Sequence, residues 1–319
     1  MILLTGAAGF IGAFVARALT ARGETVLGID SLNDYYDPQL KRDRLAAIAQ
    51  TPGFTFRQLD IADRAAVQAL FAGQRFTRIV HLAAQAGVRY SFTNPHAYAD
   101  ANLTGFLNLL EGARGQGTAH FVYASSSSVY GANTKMPFSE SDPVDHPVSL
   151  YAATKRANEL MAEVYARQFK LPLTGLRFFT VYGPWGRPDM APLKFTRAIL
   201  AGEPIEVYNH GDMQRDFTFV DDIVDGVLRV LDRPPAGELP HRLYNLGNHR
   251  PERLLHFITV LAAAIGREPQ LVMKPMQPGD VQSTYADITA ISRDTGWAPR
   301  TGIESGLPQL VGWVRDYYG

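Results

Sequence analysis

The chain has 319 residues, 31 of them Lys or Arg and 31 Asp or Glu, so no excess charge points to nucleic acid or an anionic membrane. With 46% apolar and 19% charged residues the composition is globular rather than disordered, and the length, near the limit for one core, suggests two lobes. There is no cysteine, which excludes disulfides, thiol catalysis and Cys-ligated metals. The eight histidines are scattered and form no HExxH-type pair, so no metal is expected. The apolar start, Met1 to Thr5, lacks a basic leader and breaks at Gly6, and no apolar run approaches a membrane span. A cytoplasmic protein that does not enter membranes is expected.

In chain order, apolar runs predict strands at Met1–Thr5, Thr25–Ile29, Phe54–Leu59, Arg78–Leu82, His120–Ala124 and Leu173–Phe178. Amphipathic stretches predict helices at Ile11–Ala21, Leu40–Gln50, Arg64–Ala72, Ala97–Ala113 and Leu150–Phe169. This alternation predicts an α/β fold with a doubly wound, Rossmann-type parallel sheet, all its strands buried on both faces. After Phe179 the texture becomes turn-rich, beginning with Gly183-Pro184-Trp185-Gly186-Arg187-Pro188. The expected division is a dinucleotide lobe over 1–180 and a smaller mixed α/β substrate lobe over 181–319, with parts of 216–264 packing back onto the first. A site between the lobes, beyond the carboxyl ends of the strands, follows.

Gly6, Gly9 and Gly12 form a G-x-x-G-x-x-G run, with Phe10 and Ile11 opening a helix directly after the first strand. Such glycines let the backbone approach a pyrophosphate, whose charge then meets the positive helix N-terminus. Asp30 closes the second strand near the ~20-residue spacing of a ribose-binding carboxylate. It would accept from the adenosine hydroxyls and repel a 2′-phosphate, which favours NAD over NADP. Asp60 and Ile61 follow the third strand, and Leu82, Ala83 and Ala84 the fourth, so all five can line the cofactor's route.

Tyr151 and Lys155 lie four apart and share one face of a predicted helix. A phenol with a pKa near 10 is a poor base at neutral pH, and a neighbouring ammonium stabilises its phenolate. Ser125 to Ser128 tip the fifth strand, and one of these hydroxyls can share a substrate proton with Tyr151.

The motifs TGAAGFIG, ASSSSVYG and YAATK together resemble the extended short-chain dehydrogenase/reductase family over essentially the whole chain. Within that family Gln85 to Ser91, Val144 to Tyr151 and Arg177 to Pro184 resemble the UDP-glucuronate 4-epimerases. The resemblance implies C4 epimerisation of UDP-glucuronate to UDP-galacturonate by a homodimer with tightly bound NAD. It implies a catalytic group of Tyr151 and Lys155 with Ser126 and Ser128, leaving open which serine stands nearer O4. Arg215 is similar to the family's diphosphate arginine, with an ion pair to Asp212 or Asp216 as the lesser alternative. Asp280 resembles a ribose contact in a loop where Gln277 replaces the arginine of galactose-type epimerases. Tyr208 is a uracil neighbour or a core tyrosine. For a uronate carboxylate, Ser127, Thr180 and Arg187 are the candidate donors, and Arg89 either joins them or positions its loop.

Sibling activities remain alternatives: a UDP-glucose or UDP-GlcNAc 4-epimerase, or a UDP-glucuronate decarboxylase. The last resembles this chain less, because its usual glutamate is Ser128 here. A 4,6-dehydratase would carry a Thr-Asp-Glu run in place of Ser126-Ser127-Ser128. A non-catalytic NAD sensor usually lacks the tyrosine or lysine that this chain keeps.

Overall fold

Short runs rich in branched and aromatic residues build the centre of the molecule. A computed structural model describes residues 1–277 and 281–319. The first half runs β1 (Ile2–Thr5), α1 (Phe10–Ala21), β2 (Val26–Asp30), α2 (Pro38–Ala49), β3 (Phe54–Gln58), α3 (Arg64–Gly73) and β4 (Arg78–His81). Two short helices, α4 (Tyr90–Thr93) and α5 (Pro95–Tyr98), lead through a π-helical segment (Ala99–Gly105) into α6 (Phe106–Gln116). Next come β5 (His120–Ser126), a 3-10 turn (Ser127–Tyr130), α7 (Leu150–Phe169) and β6 (Leu173–Phe178).

The second half contains β7 (Thr180–Tyr182), α8 (Ala191–Ala201), β8 (Ile205–Val207), β9 (Gln214–Phe219), α9 (Val220–Leu231) and β10 (His241–Leu246). It ends with β11 (Pro251–Arg253), α10 (Leu254–Ile265), β12 (Leu271–Met273), β13 (Ser283–Thr284), α11 (Thr289–Thr295) and α12 (Ile303–Tyr318).

The main sheet has seven parallel strands in the order β10-β6-β5-β4-β1-β2-β3. From β1 the chain first builds outward through β2 and β3, then returns to start β4 on the other side. That reversal opens a crevice at the carboxyl ends of β1 and β4. The six predicted strands are present, each within a residue or two of its expected ends. The seventh, β10, was not among them: His241-Arg242-Leu243 begins polar, and only Tyr244 to Leu246 is fully buried.

Two expectations need correction. The edge strand β3 is not buried on both faces; only Phe54 is, because no strand flanks its outer side. The single helix expected at Ala97–Ala113 is split: its first part is π-helical, and α6 then continues to Gln116.

Layers of helix cover both sheet faces. On one face Leu3, Ile79 and Phe121 pack against Phe106, Leu109 and Ala113 of α6. On the other, Phe14, Val15 and Leu19 of α1 share a core with Ile223, Val227 and Leu231 of α9. That core continues into Phe257, Trp297 and Leu310, so the C-terminal elements are packed against the sheet layer without a break. Among the described residues no helix is long and apolar enough to cross a membrane.

Candidate active site

The glycine loop is dictated by space. Gly6 has φ +73°, and a Cβ there would stand 2.7 Å from the Ala83 nitrogen. A Cβ on Gly12 would lie 2.0 Å from the Gly6 carbonyl oxygen. No side chain fits at either place, so a bare backbone cradle faces the start of α1.

Asp30 stands at the end of β2 with its carboxylate already oriented. Oδ2 accepts from the Ala8 amide at 3.2 Å and Oδ1 from the Leu32 amide at 2.9 Å. Burial raises its pKa, and those amides together with the Lys41 charge pull it back. Lys41 donates to the Asn33 carbonyl at 2.6 Å, fixing the loop beside it. Thr5 Oγ1 receives the Ala83 amide at 3.1 Å and lies 2.7 Å from His81 Nδ1, which locks β1 to the end of β4.

One cavity of about 360 Å³ is lined by every expected cofactor residue: Gly6, Gly9, Phe10, Ile11 and Gly12, then Asp30, Asp60, Ile61, Leu82, Ala83 and Ala84. The same cavity reaches Ser126, Ser128, Tyr151 and Lys155, with Ser127, Thr180 and Arg187 beside them. A glycine cradle without Cβ, a preset carboxylate and an elongated cavity fit a dinucleotide.

Helix α7 begins one residue before Tyr151. Ser149 caps it, accepting from the Ala152 amide at 3.1 Å, an arrangement worth about 1 kcal/mol. The cap fixes where the first turn starts and hence where Tyr151 points. One turn on, the buried Lys155 ammonium donates to the Ala124 carbonyl at 2.7 Å. Burial lowers the Lys155 pKa to about 8, although the Glu159 charge opposes the shift. Burial raises the Tyr151 phenol above its ordinary range, while a hydrogen bond with Ser126 and the charge of Arg187 draw it down.

The first two serines of the run point to different partners. Ser125 Oγ turns away and donates to Glu159 at 2.7 Å, whereas Ser126 faces Tyr151 and caps the 3-10 turn at the Ser128 amide. Glu159 in turn forms a buried pair with Arg177 at 2.8 Å, anchoring α7 to β6 beneath the site.

Arg187 is held by Asp189 through two hydrogen bonds, Nε to Oδ1 at 3.1 Å and Nη2 to Oδ2 at 2.5 Å. The Tyr35 hydroxyl donates to the same Asp189 at 3.0 Å. Asp189 and Tyr35 were not singled out in the sequence: each lies in an aperiodic loop, and only the fold brings them to Arg187.

A second cavity of about 660 Å³ adjoins the first and shares Ser127 and Thr180 with it. Arg89, Tyr208 and Arg215 line it. The Arg89 guanidinium lies 5.2 Å from the centre of the Tyr208 ring, so these two candidates meet. Arg215 Nη1 donates to the carbonyls of Gln214 and Gln282 at 2.9 and 3.1 Å. Asp216 is instead fully buried and accepts from the Ala286 and His249 amides at 3.0 and 3.1 Å. Asp280 lies outside the described residues.

The model of the NAD-dependent epimerase/dehydratase family matches residues 2–247. The chain is 47% identical to UDP-glucuronate 4-epimerase 3 of Arabidopsis thaliana, over 99% of this chain and 77% of that protein. It is 44% identical to a probable UDP-glucuronate 4-epimerase of Rhizobium meliloti, over 99% of this chain and 97% of the other. A crystal structure of UDP-glucuronic acid 4-epimerase from Bacillus cereus with UDP-glucuronic acid and NAD superposes with a TM-score of 0.93 at 30% identity, covering 99% of both chains. The chain belongs to the NAD-dependent epimerase/dehydratase family.

Proposed function

We propose that the protein is a UDP-glucuronate 4-epimerase that interconverts UDP-glucuronate and UDP-galacturonate with a bound NAD. One observation supports this reading most: a single cavity is lined by the dinucleotide cradle, by Tyr151 and Lys155, and by Arg187. A base, a cofactor site and a cation for a carboxylate thus face one continuous cavity. The relatives named as UDP-glucuronate 4-epimerases support the same substrate.

When bound, the cofactor supplies the two-electron oxidant for C4 and, in the return step, the reductant. Tyr151 Oη takes the 4-hydroxyl proton in the first step and gives it back in the last. The Lys155 ammonium and the Ser126 hydroxyl stabilise the phenolate. Between the steps the 4-keto sugar turns about its diphosphate tether, so that its other face meets the same residues. Tyr208 and Arg215 are proposed to hold the uridine diphosphate end in the second cavity, where Arg89, beside Tyr208, either joins the carboxylate grip or positions its loop. Ser127, Thr180 and Arg187 are proposed to grip the carboxylate. That grip matters because a 4-keto uronate is a β-keto acid, which loses CO₂ when its C5–C6 bond lies parallel to the carbonyl π system.

A homodimer in the cytoplasm completes the proposal. Leu160 and Val164, one turn apart on α7, are 49% and 54% exposed, with Leu107 of α6 at 42%. Such a stripe suits an isologous helix-pair interface. Product chromatography over a panel of UDP-sugars, with no NAD added, tests the activity. UDP-galacturonate from UDP-glucuronate is expected, and activity confined to UDP-glucose or UDP-GlcNAc would refute the substrate reading.

A further inference from the structure

Arg44 sits on α2 and is 1% exposed, yet it lines neither cavity. Its hydrogen bonds all end on neutral oxygens. Nε and Nη2 reach the Trp185 carbonyl at 3.1 and 2.6 Å, and Nη2 also reaches the Gly186 carbonyl at 3.1 Å. Nη1 reaches the Ala8 carbonyl at 3.2 Å and the Tyr36 hydroxyl at 2.7 Å. The Arg44 charge reaches the Asp30 carboxylate electrostatically but makes no hydrogen bond to it, so the guanidinium is expensive to bury where an apolar side chain of like size would fill the space at less cost. Something other than packing explains a cation here.

The carbonyl acceptors belong to two segments that both matter to the site. Ala8 is part of the glycine cradle, and its amide holds Asp30. Trp185 and Gly186 immediately precede Arg187. Trp185 has φ +61°, an unusual conformation for a side-chain-bearing residue, and its ring packs against Trp313 at 5.2 Å and Tyr317 at 5.0 Å. The ring is therefore anchored on α12 while the carbonyl is anchored by Arg44. Between these two anchors the chain has little freedom, and Arg187, two residues on, presents its guanidinium to the cavity. Asp189 occupies the Nε/Nη2 edge of Arg187; the Nη1/Nη2 edge is the second edge through which a guanidinium can hold a carboxylate.

We propose that Arg44 is a positioning residue for uronate specificity, joining the Arg187 loop to the dinucleotide loop and so fixing the distance between the carboxylate grip and C4. This rests on the reading that Arg187 binds the sugar carboxylate. The fork geometry is essential: a lysine keeps the charge but, as a single point donor, cannot span Ala8, Trp185 and Gly186 together.

The test compares Arg44→Lys, Arg44→Met and Arg187→His with the wild type, all loaded with NAD. Calorimetry gives affinities for UDP-glucuronate and UDP-galactose, mass spectrometry gives the products, and melting temperature and bound NAD report on the fold. Arg44→Lys is expected to lower the UDP-glucuronate to UDP-galactose affinity ratio about five- to tenfold, within the cost of a misplaced positioning group, and to release some decarboxylated UDP-sugar. A wild-type ratio and wild-type products, with only a lower melting temperature, would mean that Arg44 is merely structural and would overturn the proposal. If Arg187→His shifts the ratio and Arg44→Lys does not, Arg44 alone has been misread. If Arg187→His leaves the ratio unchanged, the carboxylate reading fails and this inference with it. Hydrogen exchange on the wild-type chain needs no variant: NAD added to protein stripped of it is expected to protect the amides of Gly183, Trp185 and Gly186, and no change there would contradict the link.

Discussion

The Lys155 ammonium and the Ala124 carbonyl, 2.7 Å apart, join the first turns of α7 to the tip of β5. This contact sets the height of α7 over the sheet, so Tyr151 one turn earlier stands beside Ser126 at the strand end. The phenol and its two helpers are thus positioned by the same hydrogen bond that helps to bury the ammonium.

Replacing Tyr151 by Phe removes the hydroxyl proposed to take the O4 proton. Turnover is expected to fall about 10²–10⁴-fold with UDP-glucuronate binding largely kept. A variant retaining more than about a tenth of wild-type turnover would remove Tyr151 from the mechanism. Lys155→Ala should be most harmful below pH about 8, where the wild-type ammonium is present, and the gap should narrow above it as that ammonium deprotonates. A pH–rate profile of both proteins decides this.

Loosening the carboxylate grip should change both affinity and product. Arg187→His or Thr180→Ala is expected to weaken UDP-glucuronate binding by about 1.5–3 kcal/mol per lost charged hydrogen bond, with UDP-galactose as the neutral control. Some UDP-pentose should appear, because the ketone intermediate gains access to the decarboxylating geometry. Unchanged affinity and no decarboxylated sugar would move the grip elsewhere, with Arg89 next in line.

Acid stability follows from two buried histidines, His81 and His120, and the half-buried His241. Burial lowers His81 to about 3, and His120 and His241 to about 4, from an ordinary 6.5. Each folded-state pKa lies below its unfolded value, so the unfolded chain takes up protons first as pH falls. Stability is therefore full above about 6.5 and declines as pH drops toward 4, by up to about 1.4 kcal/mol per pH unit for each histidine. Burial raises the carboxyls of Asp30, Glu140 and Asp216, which act in the opposite sense at lower pH. Urea titrations between pH 7 and 4.5 should show the decline, and His120→Gln should flatten it. A flat profile in the wild type would contradict the assignment.

The proposed interface is tested by charge. Val164→Glu, in the middle of the exposed stripe on α7, should convert a dimer into a monomer at micromolar concentration by light scattering. A wild-type monomer would refute the dimer, and a variant that stays dimeric would place its interface elsewhere.

Much of this site could be read from the residues because its signals are local. The glycine run, Asp30 at a strand end and the Tyr151/Lys155 spacing each depend on a few neighbouring positions, and the main sheet brings them to one edge. What was not legible depends on distant pairing. Arg44 looks like any polar helix residue until the fold places the carbonyls of Trp185 and Gly186 on it, 141 and 142 positions away. Asp189 and Tyr35 acquire meaning only through Arg187. The strand β10 escaped notice because it is an edge strand whose first half is only partly buried and begins with polar residues. The π-helical segment escaped because Asn102 is held from outside the helix, accepting from the Gln85 amide at 2.8 Å and donating to Thr154 at 3.0 Å.

The central claim is a closed redox cycle at C4 of a uronate, and the fate of the C4 hydrogen tests it most directly. UDP-[4-²H]glucuronate is incubated with the purified protein, without added NAD, and the products are separated and weighed by mass spectrometry. UDP-galacturonate that keeps its deuterium at C4 and its carboxylate is predicted, because the hydrogen never leaves the closed site. Deuterium lost to solvent, or a UDP-pentose formed with CO₂ as the main product, would contradict the account.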